Sequence, residues 1–430
     1  MDVIIVGAGA AGLMAAKKLS QAGLKVHVLE ARDRLGGRIY TISNLNSTNV
    51  IEGGAEFIHG NLKVTLDLLK EAATDKQEIK GETWQVTNGT WGSENDFFAH
   101  ADVVIKHLKA LKEDISIAQF IKQFFAEDKY IRLRKSLTSY IEGYYLGKTE
   151  QMSAKAFLKE WMSEDEQQYR PEGGYGKMIN HLAETCEKAG VTIQLSTVVK
   201  EIKWQKGNVE VIDDRQNSYV ASKAIITVPL GIWRAEENTG GAIMYSPALP
   251  LKVEAAKQMG FGFAIKILLE FKEIFWEDSL VKDQIKIDTA DLQFIISDSA
   301  IPVWWTQLPQ HNSLLTGWLT GCEAERLKNE KEDVIMQQSL GSLANIFGID
   351  SDILQEKLKW YRVFNWANDP FSRGSYSYSA VQTKAARKIL MEPVQNKLFF
   401  AGEALYEGTE TGTVEAALTS GLTAAEILMA

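Results

Sequence analysis

Apolar positions along this 430-residue chain fall into short continuous runs near the ends and into helically spaced sets between them. Asp2–Val6 is such a run and predicts a buried parallel strand. Leu13–Ala22 reads as a helix stopped by Gly23, and Lys25–Leu29 as a second strand. Asn49–Gly60 predicts a strand running into a glycine turn. From 61 to 170 the pattern changes. Charge rises, glycine and proline thin out, and Ile115–Phe125 and Ala154–Met162 carry apolar residues at helical spacing. This predicts a helical insertion that covers a site. Pro171-Glu172-Gly173-Gly174 breaks it, and Lys177–Gly190 predicts a further helix.

Strand-like runs follow at Val191–Leu195, Val198–Trp204, Val209–Asp213 and Ala224–Val228, the last ended by Pro229–Gly231. Gly262–Phe271 is another, and Ile285–Gly321 is strand-like and rich in tryptophan. Asp333–Phe347 predicts a helix, Leu354–Phe364 includes a strand, and Phe399–Gly402 is a short buried strand before a terminal helix from about Thr413. The first and last segments thus read as one α/β fold interrupted by other material. The expected first domain comprises 1–85, 171–240 and 375–430, the second 86–170 and 241–374.

The turn after the first strand carries the chemistry. Gly7, Gly9 and Gly12 stand at G-x-G-x-x-G spacing, for a tight turn, close approach of a pyrophosphate and close helix–strand packing. The helix start suits a diphosphate. Glu30 ends the second strand 18 residues past Gly12, near the roughly 20 expected of a carboxylate that grips a ribose hydroxyl. This constellation predicts a dinucleotide, and Glu30 disfavours a 2′-phosphate. Arg32, Arg34 and Arg38, with Gly36 and Gly37, form a second glycine-arginine cluster. Alone it reads as a basic surface turn; placed after Glu30 it favours FAD over NAD.

Composition, at 45% hydrophobic and 24% charged, is that of a soluble globular protein, and the length suggests two domains. No stretch approaches the roughly 18 apolar residues of a membrane span. A glycine loop beginning at Gly7 leaves no room for a cleaved leader, and Cys186 and Cys322 offer neither a disulfide framework nor metal spacing, so a cytoplasmic setting is expected. The net charge of −9 argues against nucleic acid and is compatible with a cationic small molecule, although ordinary solubility explains it as well.

The later blocks PEGGYGKMINHLA, AIITVPLGI, GFAIKILLEFKEIFW, NWANDPFSRGSYSYSAV and FAGEALYEGTETGTVEAAL, with RLGGR and EGGAEFIHG, resemble the flavin-dependent amine oxidases. That group includes monoamine oxidases, polyamine oxidases and flavin histone demethylases. The resemblance implies an FAD-binding Rossmann-like domain of the glutathione-reductase type, interleaved with an α+β substrate-binding domain. It implies hydride transfer from the carbon beside an amine nitrogen to flavin N5, imine hydrolysis to an aldehyde, and reduction of molecular oxygen to hydrogen peroxide. Ser375 stands where monoamine oxidases carry the cysteine that binds flavin, so the FAD is expected to be non-covalent. Thr413 matches animal-type polyamine oxidases and the demethylases, His59 matches animal-type polyamine oxidases, and the turn Gly54-Ala55-Glu56-Phe57 lacks the carboxylate-holding arginine of amino-acid oxidases. The extra modules of the demethylases find no room here. An amino-acid or apolar substrate, or a catalytically silent flavin protein, are the alternatives.

The same resemblance implies the site residues. Lys266 would hold a water at flavin N5, although from the residues alone it reads as an edge-strand lysine facing solvent. Tyr376 and Trp366 would face the flavin, where core packing is the ordinary fate of an aromatic. His59 would meet a distal amine or sense pH, and Glu56 could pair with a distal ammonium. Gly54, Ala55, Arg32, Arg38, Glu403, Thr413 and Val414 would line the cofactor, Thr413 and Val414 before the terminal helix, whose N-terminus would favour the electron-rich pyrimidine edge of reduced flavin. The backbone of Val199 would meet adenine.

Overall fold

Val3–Val6 lies at the centre of a five-stranded sheet whose neighbours are all parallel. The order is Thr192–Gln194, Val26–Leu29, Val3–Val6, Lys223–Ile226 and Leu398–Phe400. Its continuous apolar sequence follows from burial on both faces. Val3 and Ile5 join a core built with the helices Ala10–Gln21, Tyr175–Lys188 and Val414–Met429. Ile4 and Val6 point the other way, into a core shared with Ile202, Val209 and Val211 of a four-stranded sheet. The layers are therefore helices, parallel sheet, and a mainly antiparallel sheet.

The molecule is described by a computed structural model covering all residues except 43–49, 93–99, 164–166 and 205–206. Asn49, the first residue of one expected strand, lies outside the described residues. Two compact units are present: Met1–Gln77, Gln151–Phe261 and Asp369–Ala430 form one, Glu78–Glu150 and Gly262–Asn368 the other. These limits differ from the expected ones. Segment 151–170 belongs to the first unit because Ser153 N donates to Ser379 O at 2.9 Å and the Ser379 hydroxyl donates to Glu160 at 2.6 Å. Gly260–Phe261 joins it by pairing with Ser377–Tyr378.

The second unit holds a seven-stranded sheet in the order Leu358–Asn365, Ala264–Phe271, Leu314–Thr320, Val303–Trp305, Leu292–Ser297, Glu82–Thr87, Thr90–Gly92. Here the expectation of an all-helical 61–170 fails. Glu82–Thr87 runs parallel to Leu292–Ser297 and turns back through Asn88-Gly89, both at positive φ. Asn-Gly is the strongest short hairpin signal, and it stands in the sequence. The strand expected within Leu354–Phe364 is present and starts at Leu358, after the helix Ser351–Lys357 that Asp350 caps. Ile265, Ile267, Leu269, Trp304, Leu315 and Leu319 face the unit's core. The opposite face carries Lys266, which pairs in register with Trp318 and Phe364. Among the described residues no helix is long and apolar enough to cross a membrane.

Candidate functional site

The glycine loop and the second glycine cluster form one backbone cradle in the first unit. Gly9 bridges Gly36, and Gly36 N donates to Ala8 O at 3.0 Å. A Cβ on Gly12 would sit 1.9 Å from Gly7 O, so nothing larger fits between helix and loop. The helix opens at Ala10 rather than Leu13, with Gly9 at its cap, no capping side chain and no acid in its first turn. Its first amides are thus left for an anion. Ala55 N donates to Arg38 O at 3.1 Å, which fastens the Gly54-Ala55 turn to the same cradle.

Glu30 is buried at the end of its strand and accepts from Ala8 N at 2.7 Å and Arg32 N at 2.9 Å. Burial pushes its carboxyl up, against those two amides and the charges of Arg32 and Arg34. The uncapped helix, the glycine approach and a buried carboxylate fit the AMP half of a dinucleotide.

The three arginines also make contacts with protein groups, which the reading of the cluster as a cofactor-binding turn did not foresee. Arg32 makes a bidentate contact with Asp369, at 2.7 and 3.1 Å. Arg34 donates to the carbonyls of Leu35, Gly37 and Ile39 and stacks over Tyr40, clipping the turn shut. Arg38 donates to Ser375 O and pairs with Glu403 at 2.8 Å. Glu403 also accepts from the Ser377 hydroxyl at 2.6 Å. Arg38 and Glu403 therefore brace the cradle against the Ser375-Tyr376 turn. Gly412 packs on Tyr376, since a Cβ there would meet the ring at 2.8 Å. Thr413 caps the terminal helix by accepting from Ala416 N at 3.2 Å, so the helix opens at Val414, next to the expected start at about Thr413.

Glu56 is not available to a distal ammonium in the way expected. Its carboxylate holds Arg170 Nε at 2.9 Å in an ion pair buried on both sides, and Arg170 lies over Phe57. Arg170 was missed because its partner stands 114 residues away. His59 keeps part of its surface accessible, yet burial pushes its imidazole down to about 4. Val199 is buried and pairs with Asp213.

Lys266 and Trp366 belong to the second unit. Lys266 is 1% exposed in a strand buried at every position, which removes the reading as an edge-strand lysine facing solvent. Its ammonium lies 5.6 Å from the Trp305 ring centroid. Phe294, Trp305 and Trp318 continue this aromatic face, and Trp318 Nε1 donates to Gly143 O of the helix Ile131–Tyr144. Trp305 carried no assigned role, although the tryptophan-rich stretch was visible. Trp366 is buried just past the strand Leu358–Asn365.

A family model described as flavin containing amine oxidoreductase matches residues 10–90 and 97–429. Lysine-specific histone demethylase 1B of Mus musculus is 27% identical over 94% of this chain and 50% of its own length. Lysine-specific histone demethylase 2 of Homo sapiens is 28% identical with the same coverage, so the chain spans about half the length of these relatives. Polyamine oxidase 3 of Oryza sativa subsp. japonica is 29% identical over 99% of this chain and 88% of its own. Putrescine oxidase, solved as wild type bound to putrescine, shares the fold with a TM-score of 0.80 at 20% identity, covering 100% of this chain and 99% of that one. The cradle, the brace and the aromatic face around Lys266 thus sit in a chain that belongs to the flavin containing amine oxidoreductase family.

Proposed function

We propose that this protein is an FAD-dependent amine oxidase acting on a polyamine or similar cationic amine, with FAD held non-covalently and molecular oxygen as acceptor. Overall, one secondary amine, one water and one dioxygen give one aldehyde, one smaller primary amine and one hydrogen peroxide. Bound FAD supplies the two-electron acceptor for a hydride from the carbon beside nitrogen. The observation that carries this reading is Lys266, a cation 1% exposed on an aromatic sheet face. Burying a lysine so deeply is costly, and a task at a reacting face accounts for the cost.

Each remaining role belongs to a side chain of this protein. The Gly7–Gly12 loop, Glu30 and the Val199 backbone bind the adenosine diphosphate. Arg32 and Arg38 act by holding the cradle to Asp369 and Glu403. Lys266 orients a water at the reacting face. Tyr376 and Trp366 offer ring faces to the amine, whose reacting nitrogen must be neutral to release hydride. His59, neutral near pH 7, can accept a hydrogen bond from a distal ammonium without repelling it. The 29% identity to a polyamine oxidase supports a polyamine as the substrate.

The test is to purify the protein with FAD and add a panel of amines under air. Flavin bleaching with peroxide formation on polyamines is expected. Bleaching by amino acids alone would sink the reading, and a flavin that no donor bleaches would mean a catalytically silent protein.

A further inference from the structure

Glu30 and Val199, the two ends of the proposed adenosine site, are joined by a polar relay. The backbone of Glu30 is held on both sides by one turn: Glu30 N donates to Gln194 O at 2.9 Å, and Thr197 N donates to Glu30 O at 2.8 Å. Ser196, at φ 50, adds its N–H to Arg32 O at 2.8 Å. The Gln194 side chain fixes the turn, donating to the Thr197 hydroxyl at 3.0 Å and to the Tyr219 hydroxyl at 2.7 Å. Tyr219 in turn donates to Asp213 at 3.2 Å. Asp213 is 2% exposed and is the register partner of Val199. It also accepts from Arg215 N, Asn217 N and Asn217 Nδ2, between 2.8 and 2.9 Å. Burial alone would raise its carboxyl; these donors outweigh burial and keep it below the ordinary value.

We infer that Gln194, Tyr219 and Asp213 are positioning residues for the adenosine half of the cofactor, an inference that rests on the FAD reading above. The tyrosine hydroxyl is the joint, because it accepts from the sheet that carries Glu30 and donates to the sheet that carries Val199. A partly buried chain of this kind fixes two backbone segments before the ligand arrives, and so lowers the ordering cost of binding. The Tyr219 ring is itself held edge-on by His27, at 5.5 Å between centroids, so removing the hydroxyl leaves the packing in place.

The experiment titrates apoprotein with FAD and, separately, with ADP, which carries adenine and ribose but no flavin. Tyr219→Phe should weaken both about tenfold, the worth of one hydrogen bond to a charged group. The second variant, Gln194→Met, should do the same, and turnover at saturating FAD should stay within about twofold of wild type. A lower melting temperature with an unchanged ADP constant would mark a merely structural role and overturn the inference. Weakened FAD with unchanged ADP would also overturn it. Wild-type protein that binds no FAD would instead overturn the reading underneath, and the wild-type titration alone shows this.

Discussion

The Lys266 ammonium lies 5.6 Å from the centroid of the Trp305 ring, on the sheet face opposite the core of the second unit. The ring compensates part of the cation's lost hydration and aims it along that face. Lys266→Met keeps the length of the side chain and removes the charge. We expect FAD to stay bound and reaction of the reduced protein with oxygen to slow about 10²-fold, the scale of one lost preorganised polar group. Stopped-flow mixing with oxygen checks this, and an unchanged rate would remove the assigned role.

Ser375 presents its carbonyl to Arg38, and its hydroxyl cannot form a thioether. Acid precipitation should therefore release all yellow colour into the supernatant. Colour retained in the pellet would contradict non-covalent attachment.

Gly12→Ala places a methyl 1.9 Å from Gly7 O, a backbone atom that no rotamer change can move aside, and 3.1 Å from the Thr227 hydroxyl. The loop must shift, at a cost of about 3 kcal/mol or more. The purified variant should carry little flavin and unfold at lower denaturant than wild type. A fully flavinated variant of normal stability would refute the close approach.

His59 supplies a pH dependence. Its imidazole titrates near 4 when folded and near 6.5 when unfolded. Between those values the unfolded chain binds the extra proton, so this contribution to stability is full above about pH 6.5 and is lost as pH falls towards 4. His59→Asn should flatten the stability-against-pH curve in that window, measured by denaturant titration at several pH values. A curve that keeps its slope would mean that His59 is not buried in solution.

Glu56→Gln removes the charge that faces Arg170 at 2.9 Å in a pair 6 and 8% exposed. Breaking a buried pair costs about 3–5 kcal/mol, and the low end is expected because Arg170 also lies over Phe57. Equilibrium unfolding measures it. A variant as stable as wild type would return Glu56 to the candidate substrate contacts.

What the sequence made legible was local. The loop, its helix and Glu30 lie within thirty residues, and spacing alone was enough to connect them. The parallel strands were visible because burial on both faces writes a continuous apolar run. Partnerships across hundreds of residues left no local mark. The sequence reads Arg32 as a cofactor contact with no sign of Asp369 beside it, and Glu56 as a substrate contact with no sign of Arg170. The hairpin at Asn88-Gly89 differs: its turn signal stands in the sequence, but its charged surroundings read as helix. Segment 151–170 was misplaced because periodicity predicts a helix without saying what it packs against.

The long reach of the cradle's braces has a consequence for synthesis. Asp369 and Glu403 lie 337 and 365 residues beyond their arginines. Leu398–Phe400 closes the parallel sheet, and Gly421 of the terminal helix packs on the backbone of Ala11. On the ribosome the glycine loop emerges well before these partners, and its sheet edge and its arginines remain without them over that whole interval. The nascent protein must cross that interval with an incomplete nucleotide pocket, so cofactor capture must wait until the segment from Asp369 to the terminal helix has emerged.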